Sequence, residues 1–164
     1  DRVITENAIN EAEIIILAIS FSAIQEFISQ YSTQLKGKII IDPSNPIAAD
    51  GQGGFKKTIG NSESAADIIS EKLPEGAKLA KALGTLGAAS LKGQAHRRPL
   101  SVLFYNTDDR TIDSKVEELI HDCGFESFRV GGLDESIRIE VFGDLHEYGA
   151  IGKPVTLSEA SLKV

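Results

Sequence analysis

Short apolar runs alternate along the chain with segments in which apolar residues recur every three or four positions. That alternation is the pattern of α/β units. The first run, Ile14-Ile15-Ile16-Leu17-Ala18-Ile19, is continuous and mostly β-branched, the pattern of a strand covered on both faces. Behind it Phe21, Ile24, Phe27, Ile28, Tyr31 and Leu35 share a helix face, and Ser22 and Gln25 have capping-box spacing. A second strand, Lys38 to Ile41, runs into Asp42-Pro43-Ser44-Asn45-Pro46, where two prolines forbid ladder bonds and force a loop. Residues 47–61 carry Gly51, Gly53, Gly54 and Gly60 without periodicity and predict a mobile surface connection suited to a lid. Ser62 is placed to cap a helix containing Ala65, Ala66, Ile68, Ile69 and Leu73, stopped by Pro74.

A third strand, Lys78 to Leu83, breaks at Gly84-Thr85, and a short small-residue helix follows from Gly87 to Leu91. Leu100 to Tyr105 predicts a fourth strand. Ser114 and Glu117 then open a helix with Val116, Leu119, Ile120 and Cys123 on one face, ended by Gly124. Glu126 to Val130 predicts a fifth strand, and Gly131-Gly132 turns the chain into a last helix from Glu135 to His146.

Composition narrows the function classes. The 164 residues suit one domain, residues 1–164, large enough for a core without disulfides or structural metals. A net charge of −7 argues against a nucleic-acid binder, because phosphate affinity comes from clustered Lys and Arg, and only His96-Arg97-Arg98 is a basic run. The single cysteine and the absence of a bilayer-length apolar run predict a soluble, cytoplasmic protein with no membrane partner. The chain starts at Asp1 and has no Met, so it is expected to be a piece of a longer product.

Parallel α/β sheets bind ligands outside the C-terminal ends of their strands, which singles out three turns: Ala18-Ile19-Ser20, Ser44-Asn45-Pro46 and Gly84-Thr85. Each offers small side chains or amides that let a flat ligand approach the backbone, and Asn45 can both donate and accept hydrogen bonds. Taken singly, each also reads as an ordinary turn chosen for its backbone angles. No nucleophile is paired with a base, and no catalytic side chain is assigned. His96, His121 and His146 lack metal-ligand spacing and read as solvated or capping residues. Cys123 lies on an apolar stripe and reads as a buried, inert thiol, while Asp108-Asp109 reads as a loop and helix cap.

In combination these turns resemble the family of NADP-dependent deazaflavin (coenzyme F420) oxidoreductases and related dinucleotide-binding reductases. Ala18-Ile19-Ser20 is close to the family's Ala-Val-Pro strand end. Asp42-Pro43-Ser44-Asn45-Pro46 matches its Asp-x-Thr-Asn-Pro turn, and Lys81-Ala82-Leu83-Gly84-Thr85 its Lys-Ala-Phe/Leu-x-Thr strand end. Asp108-Asp109 and Gly131-Gly132-Leu133 fit two further marks. The resemblance implies a Rossmann-type α/β domain, three αβα layers around a mainly parallel sheet, in which these turns hold the nicotinamide half of NADP(H) and hydride passes to a flavin-like or other small acceptor. It also implies a Gly-x-Gly-x-x-Gly phosphate loop, which no stretch of these residues supplies with the right context. A first βαβ unit carrying that loop would cover the run at Ile14 to Ile19. Without it an apolar edge is expected, open to pairing or dimerisation, and nucleotide affinity should be lower. Ser20 stands where the family has Pro. Gly84 stands where relatives often have Asn or His, a change expected to enlarge the acceptor site. The alternative reading is a Rossmann-shaped nucleotide-binding or interaction module without turnover.

Overall fold

The computed structural model describes residues 2–164. Helix α1 (Arg2–Glu11) leads into β1 (Ile14–Ile16), α2 (Phe21–Gln30) and β2 (Ile39–Asp42). A hairpin of β3 (Ile47–Ala49) and β4 (Phe55–Lys57) precedes α3 (Ala65–Ser70), β5 (Lys78–Lys81) and α4 (Ala88–Gln94). The chain continues through β6 (Val102–Asn106), α5 (Asp113–Asp122), β7 (Glu126–Gly131) and α6 (Leu157–Ala160).

The main sheet has the order β1-β2-β5-β6-β7. β1, β2 and β5 are parallel, with Ile15 opposite Ile40 and Ile40 opposite Leu79. β6 runs antiparallel to β5 and parallel to β7. The strand period of two sends alternate residues to opposite faces. Ile40 and Leu79 pack with Ile24, Ile28 and Ile69 under α2 and α3. Ile39, Ile41 and Ala80 join Val116 and Ile120 of α5 on the other face. Val102 and Phe104 are covered by the C-terminal segment through Leu145, Val155 and Ala160. The result is the mainly parallel αβα arrangement that the resemblance implies.

Several local expectations are corrected. The first strand ends at Ile16 rather than Ile19 and is not covered on both faces, Ile16 being 44% exposed, while its place at the sheet's edge is the one expected. Ser20, not Ser22, sits at the N-cap of α2, and no side chain caps that helix. Residues 47–61 form a hairpin tied to the preceding turn, Ile47 N–H donating to Asn45 O and Thr58 N–H to Pro46 O. Its strands are three residues long, too short for alternation to show. Gly51 and Gly53 adopt positive φ in the turn while Asp50 Oδ1 accepts from the amides of Gln52 and Gly54. Ser64 rather than Ser62 caps α3, accepting from Asp67 N–H at 3.0 Å. Asp109 caps a 3-10 turn, Arg110–Ile112, that runs directly into α5, so Ser114 is already inside the helix.

The expected helix from Glu135 to His146 is instead a 3-10 turn, Leu133–Arg138, followed by irregular chain. Phe142 takes a positive φ of 69°, which no α-helix accommodates. A Cβ on Gly143 would lie 2.3 Å from Ile137 O, so the chain doubles back on itself there.

Candidate functional site

Because β1, β2 and β5 are parallel, the turns that leave them emerge at one end of the sheet. Between the first two lies a cavity of about 660 Å³ lined by Ser20, Phe21, Ser22 and Gln25 from the start of α2, by Asn45, and by Ile47, Ala48 and Thr58 of the hairpin. No lining side chain is charged. Ala18 and Ile19 are exposed beside Ser20, whereas Ser44 and Pro46 are buried on either side of Asn45. The third turn joins through its backbone. Asn45 Nδ2 donates to Gly84 O at 3.1 Å, while Thr85 lies buried behind Gly84 and away from the cavity wall.

Asn45 is a clamp as well as a lining residue. Its Oδ1 accepts from Val141 N–H at 2.7 Å, so one side-chain amide ties the turn after β2 to the turn after β5 and to the segment 139–147. Gly84 is what permits the approach. A Cβ there would lie 2.5 Å from Pro43 O, so the glycine is filled by the neighbouring turn and adds no room to the acceptor site, contrary to expectation.

His146 completes this arrangement and is not solvated. It is 2% exposed, its Nε2 stands 3.0 Å from Gly84 O, and its Nδ1 accepts from Tyr148 N–H at 3.0 Å. An acceptor at Nδ1 requires the proton on Nε2, so the ring is neutral and donates to Gly84 O. Burial pushes its pKa below the ordinary value and outweighs the opposing pull of Gly84 O and Glu147.

Beneath the clamp lies a buried ionic cluster. Lys81 Nζ contacts Asp42 Oδ2 at 2.7 Å, donates to Ser44 O and stands 3.6 Å from Glu140 Oε1. Asp42 Oδ1 accepts from Ser44 N–H at 2.8 Å, and the Glu140 carboxylate accepts from the amides of Ala65 and Ala66 that open α3. Burial raises the Glu140 pKa against the pull of Lys81 and those amides. The cluster shapes the turn that carries Asn45 and touches none of the cavity-lining side chains except through that turn.

The other expected candidates lie elsewhere. Since β6 is antiparallel to β5, Asp108 and Asp109 emerge at the opposite end of the sheet, where Asp108 Oδ1 accepts from Leu133 N–H and Asp109 caps its turn. His121 is exposed beside Glu126, and Cys123 is half-buried on its helix. His96 is exposed, with a positive φ. Sequence reasoning did not assign Phe21, Ser22, Gln25, Ile47, Ala48 or Thr58 to the site. The advance signal for Phe21, Ser22 and Gln25 is position just beyond the first strand, and Ile47, Ala48 and Thr58 fall in the segment read as suited to a lid.

Comparison with known proteins gives a consistent picture. A family model described as NADP oxidoreductase coenzyme F420-dependent matches residues 2–46, from α1 to the turn carrying Asn45. A hypothetical protein, SMa0349, from Sinorhizobium meliloti is similar at 30% identity and a TM-score of 0.75, over 92% of this chain and 69% of that one. A putative F420-dependent NADP-reductase from Arthrobacter sp. FB24 gives 21% identity and a TM-score of 0.69, over 80% of this chain and 61% of that one. An imine reductase from Bacillus cereus BAG3X2 shares the fold at 13% identity and a TM-score of 0.51, over 80% of this chain and 39% of that one. No curated protein matches the chain. Among the described residues no helix is long and apolar enough to cross a membrane.

Proposed function

The chain belongs to the coenzyme F420-dependent NADP oxidoreductase family, and from that premise we propose that its cavity holds the nicotinamide of NADP(H) for hydride transfer to a deazaflavin or flavin-type acceptor. The observation that carries this reading is the meeting of Ser20 and Asn45, from two separate turns, on one uncharged cavity at the C-terminal ends of parallel strands. Its volume falls within the roughly 300–1,000 Å³ typical of small-ligand sites.

The residues present fit such a ring. Asn45 spends one N–H on Gly84 O and its Oδ1 on Val141 N–H, which leaves its second N–H to donate to a carboxamide oxygen. Ser20, Ser22, Gln25 and Thr58 add neutral donors and acceptors around the same space. Ser44 Oγ and Thr85 Oγ1 are buried without a partner beside the two turns, so polar capacity there is in excess of what the fold uses.

Bound NADPH supplies a hydride; the acceptor takes that hydride and one proton from solvent, leaving NADP⁺ and the reduced acceptor. The protein's own task is then to position the rings and exclude water, with no acid–base pair required. An uncharged wall suits this, since the nicotinamide is cationic in NADP⁺ and neutral in NADPH, and a fixed charge in contact with it would favour one of the two states.

The test is NADPH oxidation followed by its absorbance, with NADPH raised to millimolar levels and coenzyme F420 or FMN as acceptor. Loss of one acceptor molecule per NADPH, slowed in Asn45→Ala, is expected. Binding of NADPH without oxidation by either acceptor would replace the reductase with a nucleotide-binding module.

A further inference from the structure

Three non-glycine residues among those described have positive φ, and two of them adjoin the hydrogen-bond partners of Asn45. Leu83, at 67°, precedes Gly84; Phe142, at 69°, follows Val141. A bulky side chain is disfavoured in this region, so the surrounding structure must impose it, and such strain gathers at functional sites.

At Phe142 the imposition is visible. Gly143 N–H donates to Glu140 O at 2.8 Å, and a Cβ on Gly149 would lie 3.1 Å from the Phe142 carbonyl carbon. Val141 is buried, with its amide held by Asn45, and Leu145, His146 and Glu147 are buried too. Phe142 is 51% exposed in the middle of this packed segment. Neither backbone preference nor core packing selects a phenylalanine there: the dihedral favours glycine or asparagine, and half of the ring meets water.

Its location suggests what the ring is for. Hydride transfer requires two planar rings in near contact. If the nicotinamide occupies the cavity, the second ring must lie outside it, over the rim. Phe142 is not among the cavity-lining residues, but it follows Val141, whose amide is held by Asn45, and Asn45 itself lines the cavity. We infer that Phe142 is the aromatic wall against which the planar ring of the hydride acceptor lies, a specificity residue for flat heterocyclic acceptors. The inference rests on the nicotinamide reading of the cavity.

Phe142→Gly tests it, because glycine removes the ring and suits the backbone. The variant should keep or raise the thermal midpoint, bind NADPH as the parent protein does in a fluorescence titration, and raise the KM for coenzyme F420 roughly three- to ten-fold, the order expected for a lost aromatic partner. Phe142→Tyr should restore the parent value. Direct binding of coenzyme F420 without NADPH, read by fluorescence anisotropy, should weaken by the same factor in Phe142→Gly. An unchanged F420 affinity in a folded Phe142→Gly protein overturns the inference. A parent protein that binds F420 through Phe142 yet binds no NADPH would instead overturn the nicotinamide reading, and with it the assignment of Phe142 to a hydride acceptor.

Discussion

Lys81 and Asp42 stand opposite each other in the register of β5 and β2, and their side chains meet at 2.7 Å with 2% and 0% exposed. Neighbouring strands thus place an ammonium and a carboxylate at the sheet end from which the site turns leave. Lys81 also donates to Ser44 O and Asp42 accepts from Ser44 N–H, so the pair fixes both peptide groups of the residue before Asn45.

Removing one partner leaves buried charge uncompensated. Lys81→Met should therefore cost about 3–5 kcal/mol, because Asp42 and Glu140 both lose their cation. Urea unfolding at neutral pH reads this directly. A loss below about 1 kcal/mol, the level of exposed pairs, would show that water reaches the cluster.

Gly84→Ala places a methyl against Pro43 O, where only 2.5 Å is available. The two turns must part, with a cost of about 1–3 kcal/mol typical of overpacking. NADPH oxidation should fall in the same variant because Asn45 loses its hold on Gly84 O. Unaltered stability would show that the two turns are not held in close contact.

Asn45→Ala removes two hydrogen bonds and leaves Gly84 O with His146 alone. About 1–3 kcal/mol of stability should go, whereas turnover should drop on the order of 100-fold, as when a reacting ring is misplaced by about an ångström. Parallel melting curves and steady-state rates separate the two effects. Unchanged kinetics in a folded Asn45→Ala protein would remove this side chain from the site.

The alternating α/β fold and the convergence of the turns after the first two strands are legible in the sequence, because both follow from strong signals. Ile39 to Ile41 is a continuous β-branched run stopped by prolines, and Ile24 and Ile28 repeat at helical spacing. The hairpin at residues 47–57 escapes because three-residue strands cannot display a period, and the helix expected from Glu135 fails because of a close backbone contact at Gly143. His146 illustrates the limit more sharply. Nothing near it in sequence announces burial, which depends on Gly84, 62 positions away.

That burial makes stability depend on pH. The folded-state pKa of His146 lies below its ordinary value of 6.5, so the neutral ring's contribution is fully present above that value and is lost as pH falls through the folded pKa. Protonation puts a hydrogen on Nδ1, facing Tyr148 N–H, and sets a cation near Lys81, an effect that Glu147 opposes. Between about pH 7.5 and about pH 5.5 the parent protein should lose more stability than His146→Gln, in which no ring titrates. Carboxylates common to both cancel in the difference. Parallel stability profiles would show that His146 has the same pKa in the folded and unfolded states, so that burial does not lower it.

The most direct test of the account is a titration of isotopically labelled protein with NADPH, followed by amide and side-chain NMR shifts. Changes concentrated at Ser20, Asn45, Ala48 and Thr58, with the Asn45 side-chain amide among the most affected, are predicted. Shifts that leave these residues untouched and gather instead around Arg97 and Arg98, at the other cavity that could attract a phosphate, would contradict it.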